Sequence, residues 1–364
     1  MQAKASIFTV LILAVCVTQF AADIYAPSLT AIAQGLAVNI DRAQWSMSIY
    51  MVGVALSQLV YGPLSESIGR KLPLIMGLSL MIAGSIACMI STDMDMLIAG
   101  RLVQGLGAGA CASLWRAVFR DSFTGQDLAK YSSYLVIFIM FIVPSAPLIG
   151  GYLQEYYGWR ANFIFIFIYT LIALLGIIFG FRETKALYNS SEFNVLSIML
   201  NYVILARSRI FMGVSCATFL SYGALFSWFV VGPVLLIGSL GMSPIQFGWL
   251  SCGGGGFSYA LAAYLNGKLV SRLGMPKMMR FGWSVMLGAG TLLLLCDYFT
   301  EMTCITIMIP VILFYFVSTF IWPNAFATRV YSLWTYCGLC RGTLRIYEDI
   351  GSSVNCGHSC LSAQ

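Results

Sequence analysis

Charge is what this chain has least of. Aspartate, glutamate, lysine and arginine make up 9% of its 364 residues, against roughly 25% in a soluble domain, which excludes a fold bathed in water on all sides. Histidine occurs once, at His358 in a polar tail. No nucleophile, base and orienting group recur together, so the chain is read as non-enzymatic, with no cofactor and no metal. Polar stretches are scarce too, and the main break in the apolar pattern falls at 182–208.

What is present is apolar: 59% of the residues are hydrophobic. They fall into ten runs of about 20 residues, the length a helix needs to cross a bilayer. The runs lie at 6–28, 44–63, 72–90, 96–115, 132–153, 161–181, 210–237, 245–266, 278–298 and 303–325. The expectation is an all-α integral membrane protein. The first run does not give way to a soluble domain, so it is read as a span, and no cleavable signal is needed. Seven of the eleven cysteines lie in or beside these runs, where cysteine acts as a small hydrophobe.

The joints set the orientation. With the N-terminus in the cytoplasm, the inner joints hold Lys4, Arg70, Lys71, Arg116, Arg120, Lys130, Arg182, Lys185, Arg207, Arg209, Lys268, Arg272, Lys277 and Arg280, and the outer ones only Arg42 and Arg160. Fourteen against two is a positive-inside bias. The net charge of +6 is therefore topological, and nucleic acid is not a partner.

Between the second and third runs lies Gly62-x-Leu64-x-Glu66-x-x-Gly69-Arg70-Lys71, a small-residue elbow with one carboxylate and two cations. It resembles the loop 2/3 motif of the major facilitator superfamily, with glutamate where aspartate is usual and Ser67 where arginine is common. The fourth run carries Arg101-x-x-Gln104-Gly105-x-Gly107, similar to that superfamily's fourth-helix motif. Gly105-x-x-x-Gly109 also reads as close helix packing. No strand precedes this glycine run and no Gly-Lys-Ser/Thr follows, so it is not a phosphate loop.

The fifth run has Pro144, Pro147, Gly150 and Gly151, resembling the superfamily's antiporter element with Ala146 in place of a glycine. Ordinary kinking accounts for these residues equally well. Gly158-Trp159-Arg160-x-x-Phe163 looks like an external turn of its drug exporters. Together with Asp23-x-Tyr25-x-Pro27 these resemblances point to the Bcr/CflA drug-resistance branch.

They imply a major facilitator fold of two helical bundles: residues 1–181, a linker at 182–208, and an incomplete second bundle at 209–327. That makes about ten spans rather than twelve. Residues 328–364 read as a non-native tail, as after a frameshift or truncation. Cys337-x-x-Cys340 and Cys356-x-His358-x-Cys360 lie in it, the latter too cramped for tetrahedral zinc.

An ionisable group inside a span costs roughly 2.5–3.5 kcal/mol, so it is normally kept for a partner or a pathway. Asp23 either caps its helix near the interface or serves such a pathway, and Arg101 falls at about the same depth, placed to pair with it. The implied activity is proton-coupled efflux of small amphipathic compounds by alternating access, from a monomer in the bacterial inner membrane. Its partners are a small molecule, protons and lipid. Asp23, Arg101, Tyr25 and Gln104 would couple protons to substrate. Glu66, Arg70 and Lys71 would latch the cytoplasmic side, or their cations would only set orientation. Tyr222, Phe226 and Trp228 are candidate cavity aromatics, though such residues more often face lipid. A metabolite or siderophore transporter of the same fold, or a truncated non-transporting protein, are the alternatives.

Overall fold

A backbone crossing hydrocarbon must satisfy its own hydrogen bonds, and this chain does so with helices. The computed structural model describes the backbone of residues 2–123, 125–184, 203 and 206–348, with no strand among the described residues. Most of the 182–208 linker lies outside them, as do Cys356, His358, Cys360 and the side chains of Cys337 and Cys340.

Helix α1 (Gln2–Asp23) ends in a tight turn (Ala26–Ser28) before the short α2 (Leu29–Gly35). Then come α3 (Ile40–Ile68), α4 (Lys71–Met89), α5 (Met94–Ser122), α6 (Gly125–Tyr157) and α7 (Arg160–Leu175), the last running into a π-helical turn (Gly176–Gly180). After the linker follow α8 (Arg209–Pro233) with its π turn (Val234–Ser239) and α9 (Pro244–Leu250), which a π turn (Ser251–Gly256) joins to α10 (Phe257–Leu273). Helices α11 (Met275–Phe299) and α12 (Cys304–Glu348) complete the order.

Eight of the resulting segments are both long and apolar enough to cross a membrane. Gly125–Tyr157 and the composite Pro244–Leu273 bring the membrane-length segments among the described residues to the expected ten. Helix α12 runs on past Thr328 to Glu348, because the chain has no proline after Pro323 to break it. The change of composition there does not end the helix.

Two apolar segments differ sharply in what covers them. In the apolar 18-residue stretch of Phe8–Gly35, 72% of the residues are buried within the protein, whereas in that of Met275–Phe299 17% are, with Leu287, Leu294 and Tyr298 standing outward. The second is solvated by lipid and the first is a core element. Helices α3, α4 and α5 pack through small residues: a methyl at Gly53 would lie 2.7 Å from the Leu102 carbonyl oxygen, and Gly105 faces the Tyr50 backbone.

Helices α1–α7 pack on one another, as do α8–α12. The two groups meet at the end remote from the elbow, where α6 lies on α9 and the turn after α1 lies on α8 and α9. There Gln44 Nε2 also donates to the Val230 carbonyl at 3.1 Å. Toward the elbow end, the Arg116 guanidinium lies 5.0 Å from the centre of the Phe326 ring.

Candidate functional site

Helix α1 stops at Asp23, so its last carbonyls have no partner within the helix. Arg101 of α5 takes one of them, donating from Nη1 to the Ala21 oxygen at 2.9 Å and also to Gln104 Oε1, while Nε reaches the Ser46 oxygen at 3.4 Å. The cation thus sits at the negative end of a helix dipole. Its flat group lies between the rings of Tyr25 and Tyr50, 4.3 and 4.2 Å from their centres. Gln104 passes the chain on to Ser85 of α4 at 2.8 Å, and the Tyr25 hydroxyl meets Ser46 at 2.9 Å.

The expected Asp23–Arg101 ion pair is not made in this form. Nη1 and Nε are held by the α1 terminus, Gln104 and Ser46, and no donor of the arginine reaches the Asp23 carboxylate. Nη2 remains buried with no hydrogen-bond partner among the described residues. Asp23 is 4% exposed and has no hydrogen bond or ion pair among the described residues. It faces a cavity of about 180 Å³ shared by the two groups of helices, with Gln19, Val143 and Pro144 on its own side. The turn that ends α1 is held from α7: Asn162 donates to Ser28 Oγ at 2.7 Å, and Phe163 packs against Tyr25. Arg160 binds the Ser91 carbonyl at 2.7 Å and lies over Trp159.

The opposite wall comes from α8, α10 and α12. Tyr222, Leu225, Phe226 and Phe229 recur at helical spacing and line the cavity, with Tyr259, Tyr315 and Trp322 beyond them. Trp228 is not part of that wall. At roughly 100° per residue it is turned away from the middle of the face, and it stacks on Phe247 at 5.7 Å in the core. Phe229, an aromatic of the same run, joins Tyr222 and Phe226 on the wall, and the sequence reading missed only Tyr259, Tyr315 and Trp322, whose common face with them appears once three helices are assembled.

At the elbow, Arg70 is almost fully enclosed. It donates to Asp121 Oδ2 at 2.9 Å, to Glu66 Oε1 at 2.6 Å and to Ser65 Oγ at 2.6 Å. Burial works against its charge, but the bonds and attraction from Asp121 and Glu66 outweigh this and hold its pKa above the ordinary arginine value. Glu183 accepts the backbone N–H groups of Arg70 and Lys71 at 2.8 and 2.9 Å, capping α4 with negative charge. Gly69 supplies the turn at φ +90, and a methyl there would run into Glu183 at 2.6 Å. The Gly62 carbonyl accepts from Ser65 and the Leu64 carbonyl from Ser67, tightening the end of α3. Lys71 Nζ reaches the Ile178 carbonyl at 2.8 Å. These partners of Arg70 and Lys71 all belong to the first seven helices and what directly follows them, so the elbow here ties one half together. The sequence reading missed Asp121 and Glu183, acidic residues at the ends of apolar runs beside cations.

The fifth-run motif is a seam. Gly150 abuts the Ile24 backbone just after α1, and Gly151 abuts the Pro244 carbonyl across the halves. Gly248 of α9 approaches the Leu148 Cα at what would be 2.7 Å from a methyl, and Gly256 meets Pro144.

This geometry defines a multi-pass membrane protein with a cavity between two helical halves and one unpaired carboxylate on its wall. The sequence profile of the Major Facilitator Superfamily matches residues 11–333, and the chain belongs to that family. It is 29% identical over 279 residues to the "Bicyclomycin resistance protein homolog" of Haemophilus influenzae, covering 76% of this chain and 69% of that protein. Identity to "Multidrug resistance protein D" of Escherichia coli K12 is 25% over 369 residues, covering 100% and 90%. To the "Uncharacterized MFS-type transporter YdgK" of Bacillus subtilis it is 30% over 227 residues, covering 62% of this chain and 56% of the other. Among solved structures, a peptide transporter POT in complex with sulfate shares the fold, with a TM-score of 0.65 at 15% identity, covering 90% of this chain and 85% of that one.

Proposed function

We propose that this chain exports small amphipathic compounds by alternating access, each outward step driven by proton entry. The observation that carries the reading is Asp23, an unpaired carboxylate on the wall of a largely aromatic cavity between the halves. A carboxylate held in such a place takes up a proton or a cationic ligand, and competition between the two is antiport. Arg101 favours the ionised form when the two approach, and withdrawal into an apolar wall favours the neutral one. Relatives named for resistance to bicyclomycin and to multiple drugs support the substrate class.

The charge bias of the joints supports a cytoplasmic elbow and N-terminus in a bacterial inner membrane. On that orientation the halves are in contact at the outer end, and the form described is sealed outward. At about 100 mV and one pH unit, a proton entering releases about 2.3 plus 1.4 kcal/mol, enough for a several-hundred-fold gradient of a neutral compound. A monovalent cation leaving in exchange cancels the voltage, and only about tenfold remains.

Chloramphenicol accumulation in drug-sensitive cells tests this. Cells expressing the chain should accumulate several-fold less than vector controls, and a protonophore should erase the difference. Equal accumulation with and without the chain removes the efflux reading.

A further inference from the structure

Tyr315 of α12 lines the cavity that holds Asp23 and is 2% exposed, yet its hydroxyl has no hydrogen-bond partner among the described residues. A buried hydroxyl left unpaired costs stability, and buried tyrosines usually find a partner for theirs. Phenylalanine would fill the same wall without that cost. The ring is also firmly placed. It lies against the glycine turn Ser251–Gly256, where a methyl on Gly255 would come within 2.9 Å of the Tyr315 Cε2 and 3.0 Å of its Cζ. Phe229 packs edge-on at 6.5 Å. By contrast, the Trp322 ring nitrogen on the same wall is already used, donating to Ser221 at 2.9 Å.

Polar groups with no hydrogen bond among the described residues therefore line the cavity from both halves, Gln19 and Asp23 from one and the Tyr222, Tyr259 and Tyr315 hydroxyls from the other. Asp23 comes from the first half and the Tyr315 hydroxyl from the second, and they are near enough to interact electrostatically. A volume of about 180 Å³ suits one aromatic ring with small substituents, since an engineered cavity of about 150 Å³ takes benzene. Aromatic walls around a carboxylate favour a cation.

We propose that Tyr315 determines specificity by donating a hydrogen bond to an oxygen acceptor on the bound compound, whose cationic end faces Asp23. The site then prefers a short two-ended aromatic, with an ammonium at one end and a carbonyl-type oxygen at the other, over an equally apolar cation lacking the oxygen. This rests on the efflux reading only in taking the bound compound to be the exported one.

The test is calorimetric binding of two matched cations, (4-acetylphenyl)trimethylammonium and (4-ethylphenyl)trimethylammonium, to the purified full chain in lipid nanodiscs. The wild type should bind the acetyl compound about tenfold tighter. Tyr315→Phe should bring the two within about twofold, with the ethyl compound unchanged, which also shows that the variant is folded. Gly255→Ala, which displaces the ring and keeps the hydroxyl, should narrow the preference in the same direction. A wild type that prefers neither ligand or binds neither, or a Tyr315→Phe variant that keeps the preference or weakens both ligands alike, overturns the assignment. A chain that exports chloramphenicol yet shows no acetyl preference overturns this inference alone. A chain with the preference that exports nothing overturns the efflux reading alone.

Discussion

Gly151 and Pro244 meet backbone to backbone across the two halves, and the Pro244 carbonyl occupies the space where a Gly151 side chain would begin. A seam this close persists only while the glycine is kept. Gly151→Ala should push the halves apart at the end remote from the elbow and depopulate the sealed form. A cysteine replacing Gln44, whose amide bonds Val230 across the same seam, reports on this in a cysteine-depleted background. Its alkylation should be several-fold faster with Gly151→Ala. An unchanged rate would mean that the contact does not hold the seal.

The elbow predicts unequal costs for two carboxylates on one arginine. Asp121 is 18% exposed against an Arg70 that is 2% exposed, whereas Glu66 is 44% exposed. Losing a charged bond to a buried cation costs about 2–3 kcal/mol, and losing a half-exposed pair costs about 1 kcal/mol or less. Unfolding of Asp121→Ala and Glu66→Ala in detergent should show that order. Equal losses would place Arg70 in water rather than in its cage.

Phe226 and Trp228 are two residues apart and should behave as different kinds of residue. Phe226 stacks on Tyr222 at 6.3 Å on the cavity wall, so Phe226→Ala should weaken binding of an aromatic cation by about fivefold or more, within the usual worth of an aromatic contact. Trp228→Phe should leave that affinity within about twofold and cost about 1–2 kcal/mol of stability through a poorer fit to Phe247. Reversed effects would put the wrong face of α8 on the cavity.

The fold was legible because it follows from hydropathy, and ten apolar runs became ten membrane-length segments. Apolar length carries no information about facing, so the same reading could not separate core-forming Phe8–Gly35 from lipid-facing Met275–Phe299. Asp23 and Arg101 stood out as charges where lipid penalises them and Tyr25 and Gln104 through the motifs they belong to, and the structure gathers the last three into one network. The Asp23–Arg101 pair went astray because depth alone says nothing of hydrogen bonding. The unused carbonyl at the end of α1 competes for the guanidinium, and that carbonyl exists only because the helix stops at Asp23. Tyr315 was invisible for a related reason: its place on the wall depends on packing against Gly255, about 60 residues earlier in the chain.

The central claim is that the Asp23 carboxylate is the group for which proton and exported compound compete. Everted membrane vesicles energised with a pH gradient measure it, by following proton release on adding (4-acetylphenyl)trimethylammonium to wild type and Asp23→Asn at matched expression. The account predicts cation-induced proton release from the wild type and none above the vector control from Asp23→Asn. Equal proton release from the two would contradict it.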